Sequence, residues 1–306
     1  MAQFAIAGLQ LDLQKSGNLG LIERETRALV KRFGWIQMVV APELAVHGPD
    51  PKNAEPEGGE TEQRFQALAR ECGVWLIPGT MFQKRGGEVF NVAPVISPGG
   101  EIVARYAKMF PFLPYEEGVS AGSEYVVFDV PGAGRFGLSI CYDMWFPETT
   151  RTLAAMGAQA VIHPSLTNTV DREVELSIAR TNAAITQSYF LDINTAGALG
   201  NGRSGLYGPG GEVIYRAETG RDILAFEIDL AQADHVRRRG WHGLGQMMKS
   251  FRDSEAPFPV HAEGQRKTAP LAALGPLEKP EKIASEDTSQ GEPQPAVAFR
   301  KSAGDN

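Results

Sequence analysis

Short apolar segments rich in β-branched residues alternate with longer stretches of helical periodicity as far as about residue 240. The first apolar segment covers residues 4–11. Residues 18–33 follow it with apolar side chains at helical spacing, and a second apolar segment covers 36–44. This succession predicts strand, helix, strand, and its repetition along the chain is typical of a layered α/β fold.

The later elements follow from the same patterns. The sequence predicts helices at 60–72, 147–156 and 171–187, and strands at 74–82, 125–130, 134–143, 160–164 and 189–194. Residues 91–106 are predicted to form a hairpin that turns at the Ser-Pro-Gly-Gly sequence 97–100, and a second hairpin turns at Gly-Pro-Gly-Gly 208–211. The run Arg237–Arg239 is predicted to be a solvated helix end. Since no break in composition interrupts these elements, we predict one domain over residues 1–255.

The composition changes at about residue 256. Residues 256–306 are rich in Pro, Ala, Glu, Lys and Ser, contain few large apolar side chains and lack periodicity. Such a segment cannot bury enough apolar surface to fold alone. We predict either an extended C-terminal tail or, preferably, an arm that becomes ordered by lying on another subunit.

The charge balance excludes several classes of partner. Thirty basic residues against 37 acidic ones give a net charge of −7, so the chain offers no general attraction to nucleic acid or to an anionic membrane. No apolar run approaches the roughly 18 residues of a membrane span, and no basic cluster precedes the N-terminal apolar segment. With only two cysteines, Cys72 and Cys141, a cytoplasmic location is predicted.

Two familiar motifs are missing. The chain contains no P-loop and no H-E-x-x-H sequence, and its five histidines lack the spacing of metal ligands. We therefore predict neither a metal nor an organic cofactor.

Cys141 is the strongest candidate for a reactive group. It ends an apolar strand in the sequence GLSICYDMWFPE (137–148), where Pro147 and Glu148 open a helix. A sulfur at such a bend faces backbone N–H groups that can stabilise a thiolate and later an oxyanion. The alternative is a small buried apolar side chain, which is the interpretation we keep for Cys72.

A cysteine that hydrolyses an acyl compound needs a proton acceptor and a group that stabilises the oxyanion. Glu43 ends the apolar run MVVAPEL, where desolvation raises the pKa of a carboxylate towards the range of a general base. Lys108 follows the strand sequence IVARYA, where its ammonium group can stabilise developing negative charge. Taken singly, each residue is more simply explained as part of an ordinary ion pair or as a solvated strand end.

Together these segments resemble a known family. The sequences PEL (42–44), YAKMFPFLPYEEG (106–118) and ICYDMWFPE (140–148) are similar to those of the nitrilase superfamily of carbon–nitrogen hydrolases, over about residues 3–250. Members carry a Glu, Lys and Cys triad in this chain order. The resemblance implies that Cys141 is the nucleophile, that Glu43 is the general base, and that Lys108 and the backbone N–H of Tyr142 hold the oxyanion.

The resemblance also implies further site residues. Residues 108–122 look like the aliphatic amidase and formamidase branch, in which a second glutamate follows the lysine; this would be Glu116, or Glu117 if the register slips by one. The sequence after Cys141 looks more like the carbamoylase and general amidase branches. Tyr115 and Trp145 lie beside the catalytic positions and are candidate walls of the substrate pocket.

The family fold is a four-layer α-β-β-α sandwich whose members form homodimers or larger even-numbered oligomers, so the same is expected here, with the arm wrapped around a partner. The leading hypothesis is an amidohydrolase that releases ammonia from a small primary amide or carbamoyl compound through a thioester. Two alternatives stay open, namely nitrile hydrolysis by the same triad and a non-catalytic member that binds a metabolite or partner.

Overall fold

The computed structural model describes residues 3–261, 266 and 268–280. The strands, in chain order, are β1 (Phe4–Gln10), β2 (Asp12–Leu13), β3 (Met38–Val40), β4 (Glu55–Pro56), β5 (Trp75–Ile77), β6 (Met81–Arg85), β7 (Glu88–Ile96), β8 (Ile102–Ala107), β9 (Val127–Val130), β10 (Gly134–Leu138), β11 (Ala160–Ser165), β12 (Tyr189–Asn194), β13 (Ala196–Gly197), β14 (Gly205–Tyr207), β15 (Val213–Arg216) and β16 (Asp222–Ile228). The α-helices are α1 (Leu19–Arg32), α2 (Glu60–Cys72), α3 (Pro147–Ala155), α4 (Arg172–Thr186), α5 (Leu230–Arg239), α6 (Met247–Asp253) and α7 (Ala269–Ala272).

Two large sheets organise these strands. The first has the order β16-β1-β3-β5-β7-β6-β4, with β8 paired to β7, and the second has the order β15-β14-β12-β11-β10-β9. The centres of both sheets are parallel, β1 with β3 and β5 in one and β10 with β11 and β12 in the other. The hairpins predicted at 97–100 and 208–211 are confirmed by the antiparallel pairs β7–β8 and β14–β15.

Alternation along the strands builds the layers. In β1, Phe4 and Ile6 belong to the core shared with β10 of the second sheet, whereas Ala5 and Ala7 pack in the core that contains α1 and α2. The other face of the second sheet packs against α3 and α4 through side chains such as Phe190. The described part of the chain is thus an α-β-β-α sandwich of four layers, which confirms the predicted fold class.

The segment predicted as one strand at 74–82 is two strands. Pro78 and Gly79 separate β5 from β6, and Gly79 has a φ of +81°, a conformation that favours glycine. A Cβ atom at Gly79 would collide with the carbonyl oxygen of Pro42. The glycine therefore allows the chain after β5 to pass close to the backbone just before Glu43. The strand predicted at 36–44 is likewise limited to β3, and Glu43 lies in the turn that follows it.

The prediction that Arg237–Arg239 form a solvated helix end is wrong for Arg237. The guanidinium of Arg237 donates to the carbonyl oxygen of Ala158 at 2.6 Å and to Ser188 Oγ at 2.5 Å. Arg238 and Arg239 are exposed, as expected. The sequence pattern missed this contact because the carbonyl groups come from segments about 50 and 80 residues away.

The predicted arm at 256–306 falls largely outside the described residues, since 262–265, 267 and 281–306 are not among them. Its described part includes the short exposed helix α7. Wrapping of the arm around a partner, and a domain boundary at 255, stay predictions. Within the described ranges, none of the helices has the length and apolar character needed to cross a membrane.

Candidate active site

The predicted triad comes together where strands of the two sheets end. Glu43 follows β3, Lys108 directly follows β8, and Cys141 lies three residues after β10. The backbone N–H of Glu43 donates to the carbonyl oxygen of Ser165 at the end of β11, at 3.2 Å, so strand ends from both sheets meet here. Residues separated by 65 and 33 positions in sequence thereby share one site.

Glu43 is buried and held by two donors. Its Oε1 accepts hydrogen bonds from Lys108 Nζ at 2.9 Å and from Asn91 Nδ2 at 2.8 Å. Burial raises the pKa of Glu43, and the positive charge of Lys108 opposes that rise. Asn91, on β7, was missed by the sequence analysis because an isolated Asn in a strand carries no signal of its own. It fixes the orientation of the carboxylate.

Lys108 lies between two carboxylates. Its side chain is 1% exposed, and Nζ donates to Glu43 Oε1 and to Glu116 Oε2, each at 2.9 Å. Burial alone lowers the pKa of Lys108, but the attraction of Glu43 and the other negative groups outweighs it, so the pKa lies well above its ordinary value. Lys108 is therefore an ammonium ion at neutral pH.

Of the two candidate second glutamates, Glu116 is the one that contacts Lys108. Its Oε2 also accepts a hydrogen bond from the backbone N–H of Phe112 at 2.6 Å, whereas Glu117 is exposed. The loop after Lys108 is therefore closed on itself by a carboxylate that holds the ammonium in place.

Cys141 begins a 3-10 turn, Cys141–Trp145, between β10 and α3. Its φ of +45° is unusual for a residue with a side chain. Tyr142, whose backbone N–H is the predicted oxyanion donor, is the next residue of that turn.

The protonation state of Cys141 differs from the sequence expectation. Burial, followed by the negative charge of Glu43, raises the pKa of the Cys141 thiol well above its ordinary value. Lys108 and a hydrogen bond from the backbone N–H of Leu166 oppose the rise without cancelling it. The resting group is a thiol that hydrogen-bonds to Glu43. A thiol must lose its proton before it can attack a carbonyl group, and Glu43 is the carboxylate in contact with it.

Asp143 links the Cys141 turn to the Lys108 segment. Its Oδ2 accepts from Tyr106 Oη at 2.7 Å and from the backbone N–H of Ile140 at 2.9 Å, and its Oδ1 accepts from the backbone N–H of Phe110 at 2.8 Å. Burial raises the pKa of Asp143 to about 6, although these hydrogen bonds lower it. Its place two residues after the candidate nucleophile was the available sequence signal.

A cavity of about 570 Å³ opens onto Cys141. Tyr115 and Trp145, the predicted pocket residues, both line it. The other lining residues are Phe112, Tyr142, Leu166, Thr167, Asn168, Thr169, Asp171 and Glu175. The rings of Phe112 and Tyr115 stack with centroids 4.9 Å apart, which gives one wall an aromatic surface. The volume suits a small molecule.

A second cavity, of about 590 Å³, lies beside α3 and is lined by residues that include Glu148, Arg151 and His261. Because it contains none of the triad residues, we assign the chemistry to the cavity at Cys141. Among the described residues, no group of three or more His, Cys, Asp or Glu side chains is placed to hold a metal ion.

The cavity at Cys141 thus opens onto a candidate nucleophile, and behind it lie a buried proton acceptor, Glu43, and a fixed cation, Lys108. These are the groups that acyl transfer requires, since the nucleophile must lose a proton and the tetrahedral oxyanion must be stabilised.

Known proteins that are similar to this chain indicate its family. The carbon-nitrogen hydrolase family model matches residues 3–238. The chain is 28% identical to human omega-amidase NIT2 over 204 residues, which cover 62% of this chain and 74% of the relative. It is 26% identical to a carbon-nitrogen hydrolase from Helicobacter pylori, with a TM-score of 0.71 over 83% of this chain and 95% of that one.

A likeness at lower identity supports the fold. The structure of Saccharomyces cerevisiae Nit3, a member of branch 10 of the nitrilase superfamily, has a TM-score of 0.70 and 24% identity, and covers 77% of this chain and 93% of that one. The family model spans well over half of the chain. The chain therefore belongs to the carbon-nitrogen hydrolase family, enzymes that act on C–N bonds outside peptides.

Proposed function

We propose that the enzyme is an amidohydrolase that cleaves a small primary amide or carbamoyl compound to a carboxylate and ammonia. The observation that carries this proposal is the contact of Lys108 with both Glu43 and Glu116 beside the Cys141 cavity. The similarity to human omega-amidase supports an amide substrate.

In the first step, the sulfur of Cys141 attacks the carbonyl carbon and its proton passes to Glu43, so that a C–S bond forms and the carbonyl π electrons move to oxygen. The ammonium of Lys108 and the backbone N–H of Tyr142 stabilise that oxyanion. Burial of Glu43 favours this step, because a carboxylate with a raised pKa is a better proton acceptor.

In the second step, the C–N bond breaks and Glu43 returns its proton to the departing nitrogen, which leaves as ammonia. A thioester on Cys141 remains. Glu43 then takes a proton from a water molecule that attacks the thioester, and the sulfur leaves as the thiol once it regains that proton. Glu116 holds Lys108 in place throughout, since its carboxylate accepts from Lys108 Nζ.

Ammonia release from matched substrates tests the proposal. The substrates are hexanamide, pentylurea and hexanenitrile. Each carries a pentyl chain, and they differ in the group that is attacked, which is an amide, a urea or a nitrile. We expect release from hexanamide or pentylurea to exceed release from hexanenitrile, with the Cys141→Ala variant as the background. Faster release from hexanenitrile would establish the nitrilase alternative, and no release from any of a wider panel would favour a binding protein.

Glu43→Gln is expected to lower kcat by about a hundredfold or more, the scale for loss of a general base. The amide keeps the size of the side chain and an acceptor for Asn91, but it does not take up the proton of the thiol. Initial rates of ammonia release measure the effect. Glu117→Gln, which changes an exposed carboxylate of the neighbouring loop, serves as the matched control. Equal rates for the two variants would remove Glu43 from the mechanism.

Tyr106→Phe is expected to move the acidic limb of the kcat/KM profile to higher pH. The phenol of Tyr106 lowers the pKa of Asp143, so its loss raises that pKa beyond about 6. Protonated Asp143 no longer accepts from all its donors, and the Cys141 turn separates from the Lys108 segment. Profiles between pH 5 and 8 measure the shift.

Tyr215→Phe is the control, because it removes a surface Tyr–Asp hydrogen bond and should leave the profile unchanged. If the acidic limb of Tyr106→Phe did not shift, the role given to Asp143 would be contradicted.

We further propose a cytoplasmic, even-numbered homo-oligomer. Edge strand β15 supports the assembly, because Val213, Ile214 and Tyr215 are exposed apolar side chains at the border of the second sheet.

A further inference from the structure

The charges around the catalytic cavity are unevenly distributed. Of the residues that line it, two are acidic, Asp171 and Glu175, and among the described residues none of the lining side chains is Lys, Arg or His. A substrate that fills this cavity therefore meets carboxylates, but no cationic side chain, among the residues that line it.

The buried cations near the cavity are already neutralised. Arg172 contacts Glu175 at 3.1 Å and Asp192 at 2.6 Å, and its guanidinium is fully buried. Lys108 is held between Glu43 and Glu116. Each cation thus faces two carboxylates, so neither leaves an excess of positive charge for a substrate anion.

Asp171 is the acidic group best placed to meet a ligand. It precedes α4 and is half-buried, and its side chain accepts a hydrogen bond from Thr169 Oγ1 at 3.1 Å. No Lys, Arg or His of the described residues lies within ion-pair distance of it. By contrast, Glu175 is satisfied by Arg172 and Thr167.

The aromatic wall of the cavity already contacts a cation. Lys279 of the C-terminal segment places its Nζ 5.6 Å from the centroid of the Tyr115 ring, and Tyr115 lines the cavity. Ammonium groups are attracted to aromatic faces at this distance. Lys279 itself is not a lining residue.

We propose, resting on the amidohydrolase function above, that the preferred substrate is an amide or carbamoyl compound whose far end carries an amine, and that Asp171 selects it. The ammonium group lies between the Asp171 carboxylate and the aromatic wall formed by Phe112 and Tyr115. An amide with a carboxylate at that end is repelled by Asp171 and finds no cation in the lining of the cavity.

Three amides of equal length test this inference: 5-aminopentanamide, hexanamide and adipic acid monoamide. We expect kcat/KM for the amine to exceed that for the acid by about tenfold or more, the scale of one unscreened charge contact near a protein surface. Asp171→Asn should reduce this ratio by about tenfold, whereas Asp129→Asn, which removes a distant exposed carboxylate, should preserve it.

A higher kcat/KM for adipic acid monoamide, or an unchanged ratio in Asp171→Asn, would overturn the inference and leave the amidohydrolase function intact. If Lys279→Met rather than Asp171→Asn altered the ratio, the selecting charge would be Lys279, and the inference would fail. Calorimetric binding of the three amides to Cys141→Ala gives an answer that does not depend on turnover. Tighter binding of the amine supports the inference, and equal binding contradicts it.

Discussion

Replacing Cys141 with alanine is expected to slow ammonia release by about ten-thousandfold or more, the scale seen when a covalent nucleophile is deleted. In the proposed mechanism Glu43 takes a proton from the thiol, to which it is hydrogen-bonded, so the loss of the thiol removes both the nucleophile and the proton that the leaving nitrogen needs. Initial rates of ammonia release from the best substrate of the amide panel measure the loss.

The fold should survive this change. Alanine carries a Cβ atom, as cysteine does, so the φ of +45° at position 141 is no more strained in the variant. Thermal unfolding should give a Tm close to that of the original enzyme. Cys72→Ala is the matched control, because Cys72 ends α2 on the far side of the first sheet and should keep full activity. Activity in Cys141→Ala comparable to that of Cys72→Ala would refute the thioester mechanism.

Lys108→Met is expected to combine the second large loss of rate with a loss of stability. The oxyanion loses its cation, which should lower kcat by about a hundredfold or more. Without the ammonium, the pKa of Glu43 rises further, because the charge that opposed its burial is gone. A protonated Glu43 does not accept the proton of the thiol at neutral pH, so the two effects act in the same direction.

The stability change has a separate cause. Glu43 and Glu116 would remain side by side with no cation between them, and removal of one partner from a buried ion pair costs about 3–5 kcal/mol. Urea unfolding at neutral pH measures the change in the free energy of unfolding. Lys84→Met alters an exposed lysine on β6 and should leave both rate and stability nearly unchanged. Wild-type kcat in Lys108→Met would exclude Lys108 from the reaction.

Much of the fold was predictable because its periodicities are local. Residues 18–33 carry a helical stripe that becomes α1, and the glycine-rich turns at 97–100 and 208–211 direct the chain into hairpins. The prediction at 74–82 was wrong because it followed the apolar content and overlooked the Pro78-Gly79 dipeptide, which is a turn signal. The structure adds why position 79 must be glycine, since a Cβ atom there would collide with the carbonyl oxygen of Pro42.

The site was predictable to a smaller degree. The motifs around Glu43, Lys108 and Cys141 identified the three side chains that the structure brings together. Asn91 escaped detection, since its partner Glu43 is 48 residues away and nothing in the local sequence connects them. The charge state of Cys141 could not be predicted from the sequence either, because it depends on burial and on the distances to Glu43 and Lys108.

By itself, the sequence determined the kind of layers and the chemical groups available, since alternation, helical spacing and side-chain identity are properties of short segments. The tertiary structure alone decided which of those groups meet. Packing the two sheets face to face brings the ends of β3, β8 and β10 to one buried place, where the low polarity raises the pKa of both Glu43 and Cys141 while Lys108 stays charged. The pKa of a side chain depends on its burial and on the charges near it, and both are set only when the chain has folded.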